Sequence, residues 1–149
     1  MNPLELKMCD IQGRLFVLAA EKQYETTAFV AAFMKSETAE ALDSRYNPMQ
    51  WAGEEYLLDE IAENAGLSPA ENQNAAEERQ PDEKEMLYWT GYIYRYWHYY
   101  ENIASKKIYK TAPFKVMKRN YLLFHSMDPA YAIEELKSIH WQKSKLTPR

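Results

Sequence analysis

Apolar residues Leu4, Met8, Ile11, Leu15 and Leu18 recur at spacings of 4, 3, 4 and 3, which keeps them on one stripe of a helix. Phe16 and Ala19 widen the stripe, and the pattern predicts a helix over 3–21. A second helix is predicted over 26–35, with Phe29, Val30 and Phe33 inward, and a short one over 37–45 adds Ala41 and Leu42. A long helix follows over 48–65. Trp51, Leu58 and Ala62 share one side of it, Tyr56, Leu57 and Ile61 sit beside them, and Glu54, Glu55, Asp59, Glu60 and Glu63 form its exterior. Gly66 closes it in the place where a left-handed cap is usual.

Residues 67–81 are nearly free of apolar side chains after Leu67, and the composition predicts an acidic, mobile linker. Beyond it stands the stretch MLYWTGYIYRYWHYY, 86–100, in which eight of fifteen residues are Tyr or Trp. Each such ring removes roughly 150–250 Å² from water when buried, so the other elements are expected to pack on this one. Tyr92, Tyr94, Tyr96, His98 and Tyr100 alternate as in a strand, while Trp89, Ile93, Tyr96, Trp97 and Tyr100 fall at helical spacing. The capping box Asp82-Glu83-Lys84-Glu85, the length of the segment and the lack of a partner strand favour a central helix over 82–104. Short helices are predicted over 105–112 and 114–126. A last one starts at Asp128-Pro129, with Ile133, Leu136, Ile139 and His140 or Trp141 inward and a frayed tail KSKLTPR.

The starts are marked by a repeated device. Asn2-Pro3, Asn47-Pro48, Ser68-Pro69 and Asp128-Pro129 each put a capping side chain before a proline. The proline lacks an N–H that would have been unpaired at that position anyway. The fold class is therefore all-α: a single-domain bundle of six to eight helices around the aromatic helix.

Composition changes this picture little. The 149 residues carry 46% hydrophobic and 27% charged side chains, as a globular domain does. Cys9 is the only cysteine and cannot form an internal disulfide, and the N-terminus shows no signal-peptide pattern. A soluble, cytoplasmic protein without a membrane span is expected. Charge is more informative. Residues 54–85 hold 11 acidic and 2 basic groups, whereas residues 86–149 hold 11 basic and 4 acidic ones. Such a division can bind two halves together or present two faces to different partners.

The motifs of catalysis are missing. No His lies three or four positions from another His or Cys, no glycine-rich phosphate loop occurs, and there is no Gly-x-Ser-x-Gly. No catalytic, metal-binding or cofactor residue is assigned on this basis. An enzyme using Arg95 and His98 is one alternative, outweighed by the reading of Arg95, His98 and their tyrosines as a satisfied core network. Nucleic-acid binding is a stronger alternative, because Arg95, Lys106, Lys107, Lys110, Lys115, Lys118 and Arg119 are interleaved with Tyr99, Tyr100, Tyr109 and Tyr121. The first choice is a protein partner met by an acidic face of Glu54, Glu55, Asp59 and Glu60.

Three segments bear on who that partner is: LELKMCDIQGRLF, RYNPMQWAGEEYLLDE and YWTGYIYRYWHYY. Together they resemble a group of small bacterial proteins encoded beside ADP-ribosyltransferase-like toxins, over most of the chain outside 67–81. The resemblance implies an antitoxin or accessory role against a basic or toxin-like enzyme. It carries no catalytic motif and so transfers no functional residue.

Overall fold

A computed structural model describes residues 1–44, 52–69 and 83–146. Eight helices and no strand are present among them: α1 Pro3–Glu21, α2 Thr26–Met34, α3 Glu37–Asp43, α4 Glu54–Ala65, α5 Glu83–Glu101, α6 Ser105–Thr111, α7 Phe114–Phe124 and α8 Pro129–Leu146. The chain is an all-helical bundle, and the aromatic segment is its helix α5.

Local chemistry sets the starts. At α1 the Glu5 N–H donates to Asn2 Oδ1 at 2.8 Å and the Asn2 N–H donates back to Glu5 Oε1 at 3.1 Å, with Pro3 in the first turn. Asp128 accepts from the Ala130 N–H at the head of α8. The cap of α2 is Glu25, whose carboxylate accepts from the N–H groups of Thr27 and Ala28, and Ser36 caps α3. Gly66 ends α4 at φ 66°, the left-handed conformation in which a β-carbon would be strained. Asn102 closes α5 in the same region.

The long helix expected over 48–65 starts later. Ala52 and Gly53 are not helical, and α4 begins at Glu54 with Gly53 as its extended N-cap. Glycine disfavours a helix interior but serves well at this boundary, and Glu54 and Glu55 in the first turn complement the helix dipole. The start signal at Asn47-Pro48, Trp51, Asp82, and the linker beyond residue 69, with Ala70 and Glu71 of the cap at Ser68-Pro69, lie outside the described residues; Ser68 and Pro69 themselves are exposed and not helical. The tail is helical through Leu146.

The pairing of α1 with α5 is by far the most extensive among the described helices. Its cause is two glycines. A β-carbon on Gly91 would stand 2.5 Å from the backbone oxygen of Gln12 and 2.9 Å from Gly13 Cα, while one on Gly13 would meet the Tyr88 ring and carbonyl at 2.7–2.8 Å. The two backbones therefore touch here, with no side chain between them. This crossing also turns α1. Its buried residues are Met8, Cys9, Gln12, Gly13, Leu15, Phe16, Ala19 and Ala20, and the predicted inward Leu4 is exposed at 39%.

Around the crossing, Phe16 meets Phe29, Phe33 and Tyr94 edge-on at centroid distances of 5.5–6.2 Å, joining α1, α2 and α5. Leu57, Leu58 and Ile61 anchor α4 to the same core; Val116, Met117, Tyr121 and Phe124 anchor α7, and Ala132, Ile133 and Leu136 anchor α8. Tyr56, His140 and Trp141, predicted at or beside buried faces, are exposed. No helix among the described residues is long and apolar enough to cross a membrane.

Gly91→Ala tests the crossing because two effects oppose. Alanine gains roughly 1 kcal/mol in intrinsic helix propensity, but the added methyl overpacks a backbone contact at a cost of about 3 kcal/mol. The variant is expected to lose about 2 kcal/mol net in urea unfolding.

Candidate functional site

Three groups of polar side chains were singled out by the sequence, and the structure treats them differently. Arg95 is wholly buried and fully engaged. Its Nε donates to Gln12 Oε1 at 2.8 Å, Nη1 to Asp43 Oδ1 at 2.7 Å and Nη2 to Ser105 Oγ at 3.4 Å. Ser105 completes the ring, donating to Asp43 through its backbone N–H at 2.8 Å and its hydroxyl at 2.7 Å. Gln12 Nε2 donates to the Gly91 carbonyl at 3.0 Å, tying this network to the glycine crossing. His98 Nδ1 lies 2.7 Å from the Ile103 carbonyl and 3.6 Å from Asp43 Oδ1.

No buried side-chain nitrogen or oxygen among the described residues lacks a hydrogen-bond partner. Arg95 therefore leaves the set of candidate nucleic-acid contacts: a guanidinium with no exposed surface and three protein acceptors does not reach a phosphate. Its partners Gln12, Asp43 and Ser105 were missed by the sequence reading. Two faint signals existed: an amide within the inward stripe of α1, and an acid in the last turn of α3, where the helix dipole disfavours it.

Neighbouring hydroxyls and thiols are held protonated. Burial pushes Cys9 up to about 12, and burial likewise pushes Tyr99 to about 12. Tyr94, buried completely, is raised well above the ordinary phenol value, and its hydroxyl donates to the Ala112 carbonyl at 2.6 Å. Tyr94 thus joins α5 to the end of α6 as a neutral donor.

The acidic group lies on α4. Glu55 and Asp59 are exposed, while Glu54 and Glu60 are partly covered. Glu54 and Glu55 join Asp10, Arg14 and Glu21 of α1 around a groove of about 480 Å³, floored in part by Tyr88. Within it Arg14 pairs with Asp10 at 3.0 Å, and the Tyr88 hydroxyl donates to Asp10 Oδ1 at 2.5 Å. Burial and that bond raise the Tyr88 pKa. Asp59 and Glu60 do not line the groove. They stand three and four positions from Tyr56, which is 55% exposed, so they flank its ring on the same face of the helix. Tyr56 was missed as a surface residue because its position sits beside the apolar stripe.

The basic group, without Arg95, is intact at the surface. Lys106, Lys107 and Lys110 of α6 and Lys115, Lys118 and Arg119 of α7 are all exposed, and no acidic residue occurs between Glu101 and Asp128. Among the described residues, neither these six cations nor Glu54, Glu55, Asp59 and Glu60 form an ion pair. The two charged segments thus form separate faces. No cluster of three metal-ligating side chains occurs among the described residues.

No family model matches the chain, and no curated protein or solved structure is found to match it.

Removing Arg95 strands Asp43 in the core. Arg95→Ala is expected to lose about 3–5 kcal/mol in denaturant unfolding, the cost of breaking a buried pair. The loss should shrink when Asp43→Ala is combined with it, because the orphaned carboxylate is then gone.

Proposed function

We propose that this chain is a non-enzymatic protein-binding module that docks its acidic α4 face on a basic surface of a partner, as an antitoxin or accessory component that neutralises or regulates a toxin-like enzyme. The observation that carries the reading is Tyr56. It is a large ring left half in water on α4, flanked by Asp59 and Glu60 and continuous with Glu54 and Glu55. Tyrosines of this kind dominate interface energies, because they bury much area with little loss of side-chain freedom. Unpaired carboxylates around such a ring steer a basic partner and fix its register. The enclosure of Arg95 and His98 supports the non-enzymatic part, since the polar chemistry of the core is already committed to its own partners. The toxin-like identity of the partner rests on the likeness of the three segments to proteins encoded beside such enzymes.

The test is co-purification from the native cells, followed by titration of the captured partner. Tyr56→Ala should weaken binding by about 30-fold, the equivalent of about 2 kcal/mol. Reversing Glu54, Glu55, Asp59 and Glu60 to lysine should abolish binding and the salt dependence that goes with it. An affinity unchanged in both variants would place the interface elsewhere.

A further inference from the structure

A cavity of about 520 Å³ lies between α5 and the turn that joins α7 to α8. Tyr88, Trp89 and Tyr92 line it from α5, at spacings that put them on one face of that helix. Tyr121, in the last turn of α7, and His125, just past its end, line it from the other side. The Trp89 and Tyr121 rings meet edge-on at 5.7 Å, and Tyr121 stacks on His125 at 4.5 Å. Rings from two helices thus form one continuous wall.

Few polar groups reach this wall. The Tyr88 hydroxyl is committed to Asp10, so Tyr88 contributes only its ring. His125 Nδ1 lies 2.9 Å from the Tyr121 carbonyl, which can only accept. The hydrogen is therefore on Nδ1, and Nε2 of the neutral imidazole is an acceptor. Trp89 differs from both. It is more than nine-tenths buried, yet no described residue accepts a hydrogen bond from its indole N–H. Enclosed side-chain nitrogens among the described residues all have partners, so this one keeps contact with solvent, and the cavity is the opening that Trp89 borders.

The wall also selects on charge. Lys84 and Glu85 line the cavity with opposite signs, both exposed, and Lys84 is drawn to Glu21 at 3.4 Å. Burial raises the pKa of Tyr88 and of Tyr92, so the inner rings stay neutral. A charged ligand would trade water for rings with no net counter-charge, which is unfavourable. A flat ring, by contrast, gains the offset and edge-on contacts that aromatic side chains prefer. Cavities of roughly 300–1,000 Å³ with apolar walls and a few convergent polar groups are the kind that take small molecules. We propose that this cavity binds a neutral, flat aromatic molecule bearing a carbonyl, which accepts from Trp89 Nε1 while the ring packs against Tyr92 and His125. The acidic face on α4 plays no part in it.

The test is a titration of the ¹⁵N-labelled full chain with chromone, a neutral bicyclic ketone, followed through the indole N–H resonances. Trp89→Phe assigns the Trp89 signal. Chromone should move that signal downfield and saturate it. Trp89→Phe, which keeps a ring but loses the donor, should weaken chromone about fivefold, the worth of one hydrogen bond. Naphthalene, a flat ring without an acceptor, should bind both proteins equally. The anionic 2-naphthoate should bind more weakly than naphthalene. His125 is exposed, so His125→Ala keeps the fold; it should weaken chromone about threefold through the lost ring contact. Absence of a saturable shift at Trp89 overturns the proposal. So does 2-naphthoate binding more tightly than chromone. An affinity for chromone unchanged in His125→Ala, and in Trp89→Phe wherever that protein keeps its helical circular dichroism, overturns it as well.

Discussion

The contact on which the rest of the molecule depends is the touch of two backbones at Gly13 and Gly91. A single β-carbon on Gly91 would stand 2.5 Å from the Gln12 carbonyl oxygen. The close approach brings Gln12 to the Gly91 carbonyl and, one turn further along α5, to Arg95. From Arg95 the hydrogen bonds run on to Asp43 of α3 and Ser105 of α6. Four helices are thereby set in register by one chain of polar contacts that begins where α1 and α5 meet. Spread the two helices by the width of a methyl group and Gln12 no longer spans the gap. Arg95 and Asp43 would then have to find replacements in an apolar core, where an unpaired charge is very costly.

That commitment of the interior decides where function can reside. The sequence places its histidine and arginine in the aromatic helix, where they invite a catalytic reading, but the fold surrounds Arg95 with protein acceptors and leaves it no exposed surface. The exterior carries the charge, together with exposed rings such as Tyr56. The acidic segment of α4 and the basic segments of α6 and α7 do not pair with each other among the described residues, so the asymmetry in the sequence survives as two faces. A carboxylate face and a lysine face on one small bundle have opposite electrostatic complements.

How much of this was legible beforehand follows from how far each cause acts along the chain. Helix starts at Asn2-Pro3 and Asp128-Pro129, and the stop at Gly66, depend on neighbours within one turn, and they are readable from the residues alone. The aromatic helix was also readable, because its apolar content overrides the strand-like alternation of its tyrosines. Gly53 shows the limit of periodicity: the apolar pattern runs through it, but the backbone does not. Leu4, His140 and Trp141 continue their stripes beyond the last element able to cover them. The core network was out of reach, since Gln12 and Asp43 lie 83 and 52 positions from Arg95 and only the crossing brings them together. Of the acidic surface, the charges were legible and the companions Tyr56 and Asp10 were not.

Cys9 offers the most direct measurement of the central claim. It is the chain's only cysteine, is fully buried on α1 one turn before Gly13, and is raised by burial to about 12. Its labelling by a thiol reagent in increasing urea reports how the α1–α5 pair comes apart. If that crossing holds the bundle together, labelling will require global unfolding. The opening free energy and its urea dependence will then equal those of the whole protein's unfolding. Labelling through an opening of lower free energy, with little dependence on urea, would show that α1 detaches alone while the other helices stay folded. The crossing would then not be the constraint on which they depend.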